Sequence, residues 1–91
     1  MAGITHSLII PVYRNEESID ALVAAVAAIQ ERVGQPVEAV FVVDGSPDRC
    51  FELLRARLPA APFVSQLVLL SRNFGSFAAI RVGLEKASAL I

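Results

Sequence analysis

Three short polar turns concentrate the residues of this chain that can do chemistry, and each follows an apolar run. The first is Pro11-Val12-Tyr13-Arg14-Asn15-Glu16-Glu17. It sets an aromatic ring, a cation and carboxylates side by side. The Tyr13 ring can support a nucleobase, and Glu16 can take hydrogen bonds from a ribose or a base. The plainer alternative is that Tyr13 packs and that Glu16 and Glu17 only answer the positive end of a helix. The second turn is Asp44-Gly45-Ser46-Pro47-Asp48. An aspartate directly after Val40-Phe41-Val42-Val43 is costly unless its carboxylate is hydrogen-bonded. Asp44 therefore serves either a base or ribose of a ligand, or the backbone of its own turn. The third turn, Ser71-Arg72-Asn73-Phe74-Gly75, offers the Arg72 guanidinium beside a helix start, a pairing that suits a phosphate. A surface ion pair is the ordinary alternative for Arg72.

Other chemistries are poorly served. After the first apolar run there is no G-x-G-x-x-G and no Walker lysine, against a dehydrogenase or a P-loop nucleotidase. A single histidine, His6, ahead of the first strand, cannot build a Ser-His-Asp set, and one His with one Cys makes no zinc cluster. The lone Cys50 reads as a small packed residue and fits a reducing, cytoplasmic setting. The net charge of -1 gives no footprint for nucleic acid. The apolar runs Val23–Ile29 and Ala39–Val43 are far shorter than the roughly 20 residues that cross a bilayer, and no basic stretch precedes an apolar one as in a secretory signal.

The elements that must position these turns follow one plan, repeated three times: apolar strand, polar turn, amphipathic helix. Ser7–Val12 is the first strand. Asn15 caps a helix whose apolar face is Ile19, Leu22, Val23, Val26, Ile29 and Val33, and which Gly34 and Pro36 end. Val37–Val43 lacks alternation and reads as a central strand buried on both sides. Ser46 as cap and Pro47 at the first position begin the next helix, with Phe51, Leu54 and Leu58 inward, and Pro59 and Pro62 stop it. Gln66–Leu70 is the third strand. The last helix runs from about Ser76 toward Ile91, with Phe77, Ile80, Leu84 and Ala87 on its apolar face and Phe74 and Phe77 in the core. With 55% hydrophobic residues in 91, one domain of α/β class with a Rossmann-like parallel sheet of three β-α units is expected over residues 1–91. The three turns then lie along one sheet edge, where open α/β sheets bind ligands.

In order and at this spacing the turns resemble a known pattern. Ser7-Leu8-Ile9-Ile10-Pro11-Val12-Tyr13 with Asn15-Glu16-Glu17-Ser18, then Val42-Val43-Asp44-Gly45-Ser46-Pro47-Asp48, then Leu70-Ser71-Arg72-Asn73-Phe74-Gly75 with Ala78-Ala79 and Gly83-Leu84, resemble the three N-terminal motifs of family-2 glycosyltransferases. The third is similar to the branch of dolichyl-phosphate mannosyltransferases and bacterial polyprenyl-phosphate glycosyltransferases. The resemblance implies the N-terminal half of a GT-A domain that binds a nucleotide-sugar, UDP-linked in preference to GDP-linked, in an enzyme that passes the sugar to a lipid phosphate or a glycan. It implies a pocket of Pro11, Tyr13, Glu16 and Asp44 with Arg72 near the phosphates. Two departures from the pattern stand out: Arg14 and Asn15 stand where Asn-Glu often follows the Tyr, so Asn15 or Glu16 takes the acidic role, and Val43 replaces the first Asp of Asp-Asp-Gly-Ser.

The resemblance also implies parts that these residues do not encode. The Asp-x-Asp motif, the Mg or Mn ion it would hold, and the general base on the acceptor side are expected in a full-length parent at the cytoplasmic face of a membrane. The 91 residues are expected to bind no metal by themselves and to transfer no sugar. A truncated, non-catalytic α/β module that binds nucleotide, or that associates through an exposed sheet edge, is the alternative.

Overall fold

A computed structural model describes residue 4 and residues 6–87. Three strands, β1 (His6–Val12), β2 (Val37–Asp44) and β3 (Val64–Leu70), alternate with three helices, α1 (Ile19–Val33), α2 (Cys50–Arg57) and α3 (Ser76–Lys86). The strands form one parallel sheet in the order β1-β2-β3, in a register that sets Ile10 beside Phe41 and Phe41 beside Leu67. The expected α/β, Rossmann-like sheet of three β-α units is therefore present. Every residue of β2 is buried, which is why its sequence runs apolar without alternation.

The two faces of β2 feed two cores. Ala39, Phe41 and Val43 pack with Ile19 and Val26 of α1 and with Cys50 and Leu54 of α2. Val40 and Val42 pack on the opposite face with Ala79 of α3, joined by Ile9, Val68 and Leu70. The helix α3 lies mainly over β1 and β2, so the chain turns back across the sheet after β3. Two buried carboxylates stand in β2, Asp44 at its end and Glu38 near its start. Glu38, 2% exposed, accepts bonds from Ser7 Oγ and Gln66 Nε2, both at 2.9 Å, so polar side chains tie all three strands together.

The face by which α3 packs differs from the expected one. Phe77 is 89% exposed, and Ile80 and Leu84 also point outward, while Ala79 and Gly83 are buried. The small residues win because they let the helix lie close on the sheet. A Cβ at Gly83 would stand 2.3 Å from Ile9 Cγ2, so a larger residue there would push the helix away. Phe74 is likewise exposed rather than in the core. The helix ends at Lys86, with Ala87 extended, short of the run toward Ile91; residues 88–91 lie outside the described residues.

Two helix starts also differ. After Asn15 a 3-10 turn over Glu16–Ser18 precedes α1, and the Asn15 side chain caps no helix amide but accepts the Tyr13 N–H at 2.8 Å. The helix α2 begins at Cys50 rather than after Ser46, because the Ser46 and Asp48 side chains are engaged across the sheet edge. Of the expected α1 face, Ile19 and Val26 are buried, while Ile29 and Val33 are partly exposed where the helix runs past the sheet.

Candidate functional site

Because the strands are parallel, their C-terminal ends bring the three turns to one edge. There the second turn lies between the other two and is bonded to both. Asp44, 3% exposed, accepts the Phe74 N–H on Oδ1 at 2.8 Å and the Gly75 N–H on Oδ2 at 3.0 Å. Asp44 is thus bonded to backbone, but to that of the third turn and not of its own. Gly45 makes this approach possible. Its φ is +61°, and a Cβ would lie 2.1 Å from the Arg72 carbonyl carbon and 2.3 Å from the Asn73 nitrogen. No side chain fits there, which accounts for the glycine on steric grounds alone.

On the other side the second turn holds the first. Arg14 N–H donates to Ser46 Oγ at 2.9 Å, Asn15 N–H to Cys50 Sγ at 3.2 Å, and Glu16 N–H to Asp48 Oδ2 at 3.1 Å. In return, Glu16 Oε1 accepts the Arg49 N–H at 3.1 Å. Burial disfavours the Asp48 carboxylate. Hydrogen bonds from the Cys50 thiol, the Ser46 hydroxyl and the amides of Cys50 and Glu16 outweigh it, and hold Asp48 at about 2, below its ordinary 3.8. Burial first, and the Asp48 carboxylate second, push the Cys50 thiol up.

Between the first and third turns lies a hollow of about 290 Å³, lined by Pro11, Tyr13, Asn15, Asp44 and Asn73, with Gly75 and Ser76 at the start of α3. It joins an aromatic ring, two amides and a helix N-terminus, a set that can hold a flat base and polar hydroxyls. Three of the expected residues, Pro11, Tyr13 and Asp44, meet here. Glu16 lies instead beside a neighbouring polar hollow of about 230 Å³ with Arg14, Glu17 and Asp48. Asn15, not Glu16, lines the central hollow. Arg72 does not line it either: its guanidinium lies 4.7 Å from the Phe74 ring centroid. Asn73 and Ser76 were not singled out from the sequence. Nothing in their types marks them, and only the approach of the third turn to Asp44 brings them in. A larger hollow of about 520 Å³, around Gln30, Pro36 and Phe63, lies at the opposite end of the strands and has no ionisable residue in its lining.

Comparison with known proteins shows the family. The model of the family described as "Glycosyl transferase family 2" matches residues 7–90. The chain belongs to that family. Similar curated proteins carry the name undecaprenyl-phosphate 4-deoxy-4-formamido-L-arabinose transferase. The one from Pectobacterium carotovorum is 41% identical over 83 residues, covering 89% of this chain and 25% of the relative. That from Yersinia enterocolitica is 38% identical over 82 residues, covering 90% and 25%. That from Pseudomonas aeruginosa is 40% identical over 81 residues, covering 89% and 24%. The chain thus spans about a quarter of the length of these relatives. Among the described residues, no helix is long and apolar enough to cross a membrane.

Proposed function

We propose that this chain is the nucleotide-binding part of a glycosyltransferase that moves a sugar from a nucleotide-sugar, UDP-linked in preference to GDP-linked, to a polyprenyl phosphate or related lipid phosphate. The observation that carries the reading is the hollow at the strand C-termini, where Pro11, Tyr13, Asn15 and Asn73 surround the Asp44 anchor. Family membership supports the donor class, and the names of the relatives support the lipid-phosphate acceptor. Tyr13, 39% exposed, offers its ring to the base, while Asn15 and Asn73 offer amides to base or ribose. Arg72 would reach a diphosphate only by leaving the Phe74 ring, a contact worth about 0.5–1 kcal/mol at an exposed site.

Transfer needs the leaving diphosphate neutralised and an unprotonated oxygen of the acceptor phosphate as nucleophile at the sugar's anomeric carbon. The Mg or Mn expected for this finds no ligand set among the described residues: no group of three or more His, Cys, Asp or Glu comes together. Both Asp44 oxygens are taken by amides. In the proposal the ion and the base belong to a longer enzyme working at the cytoplasmic face of a membrane, and residues 1–91 alone bind donor without turnover. Calorimetric titration with UDP and with GDP tests this. UDP is expected to bind the more tightly, and Tyr13→Ala is expected to weaken it about tenfold, the loss of one base-stacking contact. Equal, non-saturating heats for both nucleotides would remove the reading.

A second reading, association of copies, is favoured by one observation. Both β1 and β3 end the sheet, and Val64 and Leu69 of β3 are about half exposed. Light scattering separates the readings: a monomer at all concentrations would eliminate association.

A further inference from the structure

The first turn is held by side chains it does not own. Three successive amides, those of Arg14, Asn15 and Glu16, donate to Ser46 Oγ, Cys50 Sγ and Asp48 Oδ2, 32 to 35 residues further along the chain. The fourth, Tyr13 N–H, is closed by Asn15 Oδ1. The three acceptors are themselves linked. Ser46 Oγ donates to Asp48 Oδ1, Cys50 N–H donates to the same oxygen at 3.2 Å, and Ser46 Oγ lies 3.9 Å from Cys50 Sγ. Such a chain strengthens each of its bonds by polarisation. The backbone shows what is being held: Arg14 has φ +54°, the one non-glycine residue in the left-handed region among the described residues. An arginine adopts that conformation only where its surroundings over-determine it.

The consequence falls on the residues on either side of Arg14. Tyr13 and Asn15 both line the central hollow, whereas Ser46, Asp48 and Cys50 do not. We propose that Ser46, Asp48 and Cys50 are positioning residues that fix the strained first turn, and through it set the Tyr13 ring and the Asn15 amide for the nucleotide. Neither capping of α2 nor packing alone accounts for three acceptors matched to three consecutive amides. The proposal rests on the nucleotide reading for its ligand, but the clamp itself can be measured without one.

Tyr13 supplies the measurement. It is the single tyrosine in a chain with no tryptophan, so tyrosine fluorescence reports the first turn alone. Acrylamide quenching of the ligand-free chain and calorimetric UDP affinity are measured for wild type, Ser46→Ala, Ser46→Thr, Cys50→Ala and Cys50→Ser. The alanine variants are expected to raise the quenching constant about twofold, as Tyr13 moves from partial toward full exposure. They are expected to weaken UDP about five- to tenfold, the scale of one lost hydrogen bond. Ser46→Thr and Cys50→Ser, which keep an acceptor, are expected to recover both. Should one alanine variant fail to unfold cooperatively, the other pair makes the same comparison. Unchanged quenching in the alanine variants overturns the clamp, as does raised quenching with wild-type UDP affinity. Raised and rescued quenching in a chain that binds no UDP at all leaves the clamp standing and overturns the nucleotide reading instead.

Discussion

At the scale of single residues, two aspartates of one turn carry the architecture of the site. Asp44 faces the third turn and Asp48 the first. Replacing Asp44 by alanine takes the acceptor from the Phe74 amide and leaves the Gly75 amide only Asn73 Oδ1, at 3.1 Å. The expected cost is about 2–3 kcal/mol, or roughly 10–20 °C in Tm for a domain of this size. Thermal unfolding followed by circular dichroism checks it, and a change within 2 °C would show that the two bonds carry little. Asp48 makes a prediction in pH. Its carboxyl is held at about 2 in the folded chain against an ordinary 3.8, so its contribution is fully present above the unfolded value and is lost as pH falls through the folded one. Between about pH 4 and pH 2, Asp48→Asn should therefore lose less stability than wild type, read as a flatter acid limb in urea unfolding. The sequence showed that Asp44 needs hydrogen-bond donors but not that they lie in the third turn, and it showed nothing of the Asp48 anchor. A cap and a cross-turn clamp use the same residue types, and only the folded edge shows which amides lie within reach.

At the scale of elements, the strands were legible because buried parallel strands leave long apolar runs, and Val40-Phe41-Val42-Val43 is such a run. The orientation of α3 was not. A periodic row of Phe77, Ile80 and Leu84 looks like a buried face, yet Ala78, Ala79, Val82 and Gly83 mark a second row that packs more closely. The contest is settled by how near the helix comes to Ile9, a distance that no periodicity encodes. Phe77→Ser should consequently change stability by less than about 0.5 kcal/mol, while Ala79→Leu should cost about 1–3 kcal/mol by overpacking. Chemical denaturation of both variants checks the pair, and the reverse order would return Phe77 to the core.

At the scale of the molecule, the candidate site depends on three turns far apart in the chain. The sequence shows where each turn falls but not how they are joined. Pro11, Tyr13 and Asp44 were readable because they close apolar runs at strand ends. Asn73 was not, since its place depends on the Gly45 backbone lying against Arg72 and Asn73. The most direct test of the whole is an amide chemical-shift titration of the 91-residue chain with UDP. Saturable shifts are expected at residues 11–15, at 44–46 and at 73–76, with little change around Gln30, Pro36 and Phe63. Shifts confined to that opposite end of the sheet, or no saturable shifts at all, would contradict a nucleotide site at the meeting of the three turns.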